Sequence, residues 1–388
     1  MLLQSVDKSD RLSNGFSRRQ IAGCISPRAL DLTILPTEKC NFRCTYCYED
    51  FELGRMPRAV REGVINLIRR RAESIEFLNI SWFGGEPLLA EAVIFEIARE
   101  AHALSQEYGF KIQGGMSTNA YRLDAKLLSE LCALGQDFYQ ITLDGWGAGH
   151  DRTRRRADGA GTFDRIWENL LSFRPLKCGF EVCFRIHHTH ENFDSLRTLC
   201  TEIRESFGSD PRFRVDFQDI RALGGPGAAT IVGLSSRDFN AQKTELRRIL
   251  AGSETSAAPV PEIAPRFPVG ESATGRRAYM DEGEVPYICY AAKPNHFLIR
   301  ANGRVGKCTV ALADPVNDIG FITPDGRLVI DEDKHMPWIE GLETLSQERL
   351  ACPLHTIQEV IDRRRAIPVQ VIDGVISDRF LSKGAANG

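Results

Sequence analysis

The sequence predicts an α/β fold in which a parallel sheet forms a partial (β/α)6 barrel of the TIM type, followed by a small strand-rich C-terminal domain. Three observations support this prediction. Short apolar runs alternate with amphipathic stretches from residue 30 to about residue 220. The alternation comprises six strand–helix units, which suits a partial barrel better than a full barrel of eight. Past residue 290, two hairpin signals replace the alternation.

The first unit is a strand over 30–36, a short loop rich in cysteine, and a helix over 57–71 with an apolar face. In the third unit, Asp124 is the predicted N-cap of a helix that Gly135 ends. The other five predicted strands cover 78–85, 111–118, 138–145, 180–186 and 213–220. The other predicted helices cover 92–103, 161–173 and 192–207.

The C-terminal third has a different pattern. Residues 252–277 are rich in Pro, Gly, Ser and Ala and are typical of a linker. Asn302-Gly303 and Asp325-Gly326 are the turn dipeptides of two predicted hairpins, over 296–308 and 318–331. We therefore divide the chain into an N-terminal arm (1–29), a barrel (30–251), the linker (252–277) and a C-terminal domain with a frayed tail (278–388).

Composition narrows the class of protein. The 388 residues are 43% hydrophobic and 26% charged, typical of a soluble protein of about two domains. A net charge of −3 gives no overall bias toward nucleic acid or a membrane surface. No apolar run approaches the roughly 20 residues that span a bilayer, and the N-terminus lacks the apolar part of a secretory signal. We expect a cytoplasmic protein whose 11 cysteines are thiols or metal ligands.

Three cysteines lie close together in the loop after the first strand. Cys40, Cys44 and Cys47 are separated by three residues and then by two. A cubane iron–sulfur cluster needs one outer ligand on each iron, so three thiolates leave one iron open. A structural zinc site and unrelated buried cysteines are the alternatives that the spacing leaves open.

The loop resembles the signature of the radical S-adenosylmethionine (radical SAM) enzymes, with Tyr46 before the last cysteine. Motifs after the next three predicted strands also match that family in order and placement: "GGEP" (84–87), "STN" (117–119) and "LDG" (143–145). The resemblance covers roughly residues 30–220. It implies a [4Fe–4S] cluster whose open iron binds S-adenosylmethionine (SAM), and a 5′-deoxyadenosyl radical that abstracts a hydrogen from the substrate.

The resemblance also implies cofactor contacts. Gly84 and Gly85 would allow close approach of the backbone to SAM, and their polar groups, with Glu86 nearby, would recognise its amino group; a tight strand-to-helix turn is the alternative. Ser117 and Asn119 would contact its ribose and carboxylate, unless they only cap a helix.

Three charged residues each allow more than one interpretation of their role. Asp144 contacts the cofactor or only ends its strand. Arg154 aligns best with a carboxylate-binding arginine of relatives, although its run of arginines also suits a solvated face or an acidic peptide. Arg185 is a second carboxylate candidate, with a salt bridge as the alternative.

Three late cysteines resemble the SPASM domain, an extension that holds auxiliary clusters. Cys289, Cys308 and Cys352 follow part of its pattern, but the dense group of further cysteines is absent. We expect these three to hold one auxiliary [4Fe–4S] cluster, with residual cysteines in a degenerate domain as the alternative.

The resemblance favours a maturase that forms a carbon–carbon or thioether cross-link, or a related oxidation, in a ribosomal precursor peptide. Its leader would bind the barrel, the C-terminal hairpins or a separate leader-recognition protein, and a flavodoxin or ferredoxin would supply electrons. A radical SAM enzyme acting on a small molecule, a sulfatase-maturase-like oxidase, and a zinc or iron–sulfur interaction module are the alternatives.

Overall fold

The computed structural model describes residues 12–224, 231–252 and 286–366. The predicted tail and all of the predicted linker except Gly252 lie outside these residues. The main feature is a ten-stranded sheet with the order β12-β11-β10-β9-β1-β3-β4-β5-β7-β8. Its strands, with two further short strands, are β1 Ala29–Ile34, β2 Phe42–Cys44, β3 Phe77–Trp82, β4 Lys111–Thr118, β5 Gln136–Thr142, β6 Arg154–Arg156, β7 Glu181–His188, β8 Phe213–Asp219, β9 His296–Ile299, β10 Arg304–Gly306, β11 Gly320–Ile322 and β12 Leu328–Ile330.

All six predicted barrel strands form, as β1, β3, β4, β5, β7 and β8, and each pairs in parallel with its neighbour. The partial barrel is therefore confirmed. Five of the six residues of β1 are buried, as expected for a parallel strand covered on both faces. The carboxyl ends of these strands meet at one edge, where ligands bind in such sheets.

Helices cover the outside of the sheet. They are α1 Arg18–Ile25, α2 Arg58–Arg71, α3 Glu91–Tyr108, α4 Ala125–Cys132, α5 Ala148–Asp151, α6 Phe163–Phe173, α7 Phe193–Phe207, α8 Ser236–Ala251, α9 Glu332–Ile339, α10 Gly341–Thr344, α11 Gln347–Ala351 and α12 Pro353–Ala366. Asp124 caps α4 as predicted, since its side chain accepts from the backbone N–H of Leu127 at 2.8 Å. Gly135 lies beyond the end of α4, in the turn into β5, with a φ of 74°. No helix of the described residues has the length and apolarity to cross a membrane.

The C-terminal strands continue the barrel sheet. The two predicted hairpins form, as β9–β10 and β11–β12, and their turn residues Gly303 and Gly326 have positive φ values of 84° and 82°. Strand β9 pairs in parallel with β1, and the ion pair between Arg300 and Glu38, at 2.6 Å, joins the two strand ends. The helices α9–α12 were not predicted. One sheet therefore runs through both regions. The division of the chain into domains stays a prediction from the sequence.

A two-stranded ribbon outside the main sheet was also not predicted. Strand β2, inside the cysteine loop, pairs antiparallel with β6, so that Cys44 faces Arg154 and Arg43 faces Arg155. The pairing extends to Thr45, whose N–H donates to the carbonyl oxygen of Thr153 at 2.9 Å. The ribbon therefore fixes the cysteine loop to the segment after β5.

Candidate functional site

One pocket opens at the carboxyl ends of the barrel strands and contains about 1170 Å³ of empty space, part of it open to solvent. It brings together ten of the predicted site residues. They are Cys40, Cys44, Tyr46, Cys47, Gly84, Gly85, Ser117, Asn119, Arg154 and Arg185. Two others, Glu86 and Asp144, do not line it, and both are buried behind its wall.

The three cysteines of the loop share this pocket. Burial raises the pKa of each thiol, to about 12 for Cys47, while backbone N–H groups that donate to the sulfur atoms of Cys40 and Cys47 act in the opposite direction. One of these donors is the N–H of Phe42, 3.3 Å from Cys40 Sγ. Coordination to a metal deprotonates a thiol outright, and the N–H donors then stabilise the thiolate. Across the residues that the structure describes, no group of three His, Cys, Asp or Glu side chains is arranged to hold a single metal ion.

Gly84 and Gly85 pack against the chain just before Cys40. A Cβ on Gly85 would lie 2.5 Å from the carbonyl oxygen of Lys39, and a Cβ on Gly84 would overlap the carbonyl oxygen of Thr37. Gly84 also has a φ of 120°, which side chains rarely adopt. The two glycines line the pocket as expected, and their lack of side chains allows their backbone to approach residues 37–39 closely.

Recognition of a ligand by Glu86 stays a prediction, and the contacts of this side chain show a structural role. Its Oε1 accepts from the N–H of Leu88 at 3.0 Å and the hydroxyl of Thr118 at 2.8 Å, and its Oε2 accepts from the N–H of Asn119 at 2.7 Å. The side chain is 1% exposed. Three protein donors contact the carboxylate, so Glu86 has a positioning role: it fixes the end of β4.

Ser117 and Asn119 both face the pocket at the end of β4. The side-chain nitrogen of Asn119 donates to Oδ1 of Asn41, in the cysteine loop, at 2.9 Å. Its Oδ1 accepts from the N–H of Tyr121 at 3.0 Å. Asn119 therefore links the third barrel strand to the cysteine loop, and its helix-capping alternative is not what the structure shows, because α4 is capped by Asp124.

A buried polar network lies beneath the cysteine loop. The hydroxyl of Tyr46 donates to Oδ2 of Asp144 at 2.7 Å and accepts from Nη1 of Arg154 at 2.8 Å. Nδ1 of His187 lies 3.3 Å from Oδ1 of Asp144 and from the Tyr46 hydroxyl. Burial alone would raise the pKa of Asp144, but the hydrogen bond with His187 and the charge of Arg154 hold it below its ordinary value. Asp144 thus organises the pocket wall from behind.

The two arginines of the pocket have different surroundings. Arg154 contacts no carboxylate in an ion pair among the described residues; its Nη1 donates to the Tyr46 hydroxyl, and its buried Nε has no hydrogen-bond partner there. Arg185 is paired with Asp216, whose Oδ2 lies 3.0 Å from Nη2, as in the salt-bridge alternative. Both line the pocket, and Arg154 is the stronger candidate for a carboxylate ligand.

Several pocket residues were missed from the sequence. His187 on β7 is the most prominent, because it joins the Tyr46–Asp144 network and faces the cavity. The others include Tyr48, Glu49, Gln140, Thr142, Gln218, Asp219 and Arg221. Position in the sheet could have identified four of these eight, because parallel sheets bind ligands at the carboxyl ends of their strands. The four at such ends are His187, Thr142, Gln218 and Asp219.

The three late cysteines lie in the C-terminal region beside the barrel. Cys289 and Cys308 are buried and Cys352 is half-buried. The N–H of Cys289 donates to the carbonyl oxygen of Leu350 at 2.7 Å, next to the segment of Cys352. The pKa of Cys308 is raised to about 11, mainly by burial and also by the nearby Cys352, while N–H groups of Val310 and Ala311 that donate to its sulfur act in the opposite direction. The three thiols therefore occupy one region.

The donors at the loop fit an iron–sulfur cluster and a ligand with a carboxylate. Three thiols and backbone N–H donors to sulfur suit the cluster. The guanidinium of Arg154, which lines the pocket, suits an anionic group. The cluster would supply one-electron chemistry, and the protein groups would orient the ligand.

Residues 34–202 match the family model described as the radical SAM superfamily, and they form a radical SAM domain. Proteins of this superfamily use a [4Fe–4S] cluster and SAM. Among curated proteins, a GTP 3′,8-cyclase of Corynebacterium glutamicum is 35% identical over 119 residues, covering 30% of this chain and 31% of that protein. A cysteine-type anaerobic sulfatase-maturating enzyme of Clostridium perfringens is 27% identical over 165 residues, covering 39% and 43%. The matches thus span less than half the length of these relatives.

Solved structures share the fold over most of the chain. The structure of anSMEcpe with bound AdoMet and a Cp18Cys peptide aligns with a TM-score of 0.55 and 17% identity, covering 83% of this chain and 88% of that one. SuiB of Streptococcus suis, bound to its precursor peptide SuiA, aligns with a TM-score of 0.53 and 16% identity, covering 86% and 73%. At these identities the likeness concerns the fold.

Proposed function

We propose that this radical SAM domain serves an enzyme that cleaves SAM reductively and abstracts a hydrogen atom from a ribosomal precursor peptide. The product would be a carbon–carbon or thioether cross-link or a related oxidation. The observation that carries the proposal is the shared pocket of Cys40, Cys44 and Cys47 at the ends of the barrel strands, with Arg154 beside them.

In this proposal the chain's own residues bind and orient, while the cluster and SAM supply the radical chemistry. Cys40, Cys44 and Cys47 would hold the cluster, and the guanidinium of Arg154 would bind the SAM carboxylate. Tyr46 and Asp144 fix the guanidinium of Arg154 in that direction. The backbone at Gly84 and Gly85 and the side chains of Ser117, Asn119 and Arg185 would complete the cofactor wall.

A peptide substrate is supported by the two solved structures that share the fold and contain bound peptides. We further propose that Cys289, Cys308 and Cys352 hold one auxiliary [4Fe–4S] cluster beside the peptide. A flavodoxin or ferredoxin would deliver electrons, and a separate leader-recognition protein is a further candidate partner. We place the reaction in the cytoplasm, where reduced thiols and low-potential donors are maintained.

The proposal is tested with protein reconstituted with iron and sulfide under anaerobic conditions. Dithionite should drive the formation of 5′-deoxyadenosine from SAM in the wild type. Replacing Cys40, Cys44 and Cys47 together with Ala should abolish it, because no open-iron cubane forms without the three thiolates. Replacing the core cysteine Cys200 with Ala is the matched control and should leave production intact. Equal deoxyadenosine yields from the triple variant and the wild type would refute the assignment.

The second candidate is a radical SAM enzyme that acts on a small molecule. The 35% identity to a GTP 3′,8-cyclase favours it, although the match covers only 31% of that protein. Mass spectrometry separates the candidates. A mass loss in a co-expressed peptide encoded beside this chain supports the peptide, and a serine or cysteine oxidised in a sulfatase supports a sulfatase-maturase-like oxidase. Consumption of GTP supports the small molecule.

A further inference from the structure

The outer face of the β2–β6 ribbon carries an unusual pair of like charges. Side chains alternate along a strand, so Cys44 and Arg154 point inward while Arg43 and Arg155 point outward. Arg43 and Arg155 are exposed and directly opposite each other in the register. Like charges in such cross-strand pairs are destabilising, so the pair weakens the isolated ribbon.

These charges are not neutralised within the described residues. Arg43 donates to the carbonyl oxygens of Cys40 and Phe42 at 3.0 and 2.6 Å, and Arg155 donates to the carbonyl oxygen of Asp151 at 3.1 Å. Neither contacts a carboxylate in the part of the chain that the structure describes, and the same holds for the exposed Arg152. Arg152 follows Asp151, whose carbonyl oxygen accepts from Arg155, so we group Arg43, Arg152 and Arg155 as a basic patch on a chain with a net charge of −3.

We propose that this basic patch is the docking surface for a small acidic one-electron donor protein of the flavodoxin or ferredoxin type. The inference rests on the proposed function, which requires that each cleavage of SAM begin with one electron delivered from outside. The donor would be oxidised by one electron and the cluster at Cys40, Cys44 and Cys47 reduced by one. No bond forms or breaks in that step.

The patch lies where such a donor must approach. Arg43 is adjacent to Cys44 in sequence and fixes the loop through the carbonyl oxygen of Cys40. Its guanidinium also stacks on the ring of Phe51 at 4.6 Å, which holds the charge at the surface. The ribbon thus presents positive charge to solvent on one face and a cluster ligand to the pocket on the other. Complementary charge raises the rate of encounter and orients the partner.

The test uses full-length protein and a purified flavodoxin, with Arg155→Glu and Arg152→Glu as the variants. Arg155→Lys keeps the charge, and Arg248→Glu makes the same charge change at an exposed site on α8. Three quantities are measured: the dissociation constant for flavodoxin at low and high salt, the dissociation constant for the peptide encoded beside this chain, and the rate of deoxyadenosine formation with flavodoxin or with dithionite as reductant. The first needs no turnover.

We expect each reversal to weaken flavodoxin binding at least about fivefold at low salt, with a smaller loss at high salt. The flavodoxin-driven rate of each reversal should fall in parallel, while its dithionite-driven rate should match that of the wild type. Arg155→Lys and Arg248→Glu should match the wild type in both flavodoxin affinity and rate. Unchanged flavodoxin affinity in both reversals would overturn the proposal. So would a loss of peptide binding instead, which would assign the patch to an acidic peptide segment. If the wild type makes no deoxyadenosine even with dithionite, the proposed function fails, whereas the binding measurement still decides the docking surface.

Discussion

Replacing Glu86 with Gln tests the positioning role that its contacts indicate. Gln keeps one carbonyl oxygen for Leu88 and Thr118, but its amide nitrogen then faces the N–H of Asn119, 2.7 Å from the atom that it replaces. The variant loses one charge-assisted hydrogen bond, worth about 1.5–3 kcal/mol, and leaves a buried donor unpaired at a cost of about 1–3 kcal/mol. Allowing for relaxation, we expect the free energy of unfolding to fall by about 2–4 kcal/mol.

The assay combines urea unfolding with SAM binding to the reconstituted protein. SAM affinity should fall together with stability, because Asn119 lines the pocket and loses its anchor, while iron content should stay at the wild-type level. Glu107→Gln, an exposed change at the end of α3, is the control and should alter stability by less than about 0.5 kcal/mol. A Glu86→Gln variant as stable as the wild type would refute the positioning account. If such a variant also bound SAM poorly, the direct contact expected from the sequence would be restored.

Three further predictions concern the neighbouring parts of the molecule. Gly85→Ala should lower the iron incorporated at the cysteine loop and reduce the free energy of unfolding by at least about 1–3 kcal/mol, because the added Cβ meets the backbone of Lys39. Gly54→Ala, at an open position, is the control and should change neither quantity. Iron analysis and urea unfolding measure the two effects. Asp144→Asn should destabilise the protein at pH 7. The difference in the free energy of unfolding from the wild type should shrink as pH falls below about 4. The reason is that a carboxylate whose pKa is lowered by folding contributes stability above the pKa of the unfolded state and loses that contribution on protonation. Equal destabilisation at pH 7 and pH 3 in denaturation curves would contradict this. Replacing Cys289, Cys308 and Cys352 together with Ala should remove about half of the iron while some uncoupled deoxyadenosine formation persists; a fully reconstituted wild type holding only about four irons would exclude the auxiliary cluster.

The sequence predicts the barrel well because its signals are local. Apolar runs and caps such as Asp124 depend on neighbouring residues, and the Asn302-Gly303 turn specifies its hairpin almost alone. The β2–β6 ribbon escaped prediction because each strand has three residues, and four of the six residues are arginines, which carry no apolar pattern. Its existence depends on tertiary packing around the loop.

The residues of the candidate site also divide into those that a local motif predicts and those that depend on tertiary contacts. Residues within motifs, such as Cys40 and Asn119, lie in the pocket where strand order predicted them. The positioning contacts of Glu86 could not be predicted, because a motif does not show which donors will surround a carboxylate in the fold. His187 was missed because its significance depends on contact with Asp144, which lies in the loop after β5, a different strand from that of His187.

The pairing of β1 with β9 also has a consequence for synthesis. The hydroxyl of Thr33 on β1 contacts Nε2 of His296 on β9, across 263 residues of sequence. At a ribosomal speed of roughly 5–20 residues per second, β1 waits about 13–50 seconds for this partner after it emerges. During that interval one side of the first barrel strand is an unpaired edge, open to pairing with other chains. We therefore expect the nascent barrel to depend on chaperones that shield this edge, and slower translation to increase aggregation.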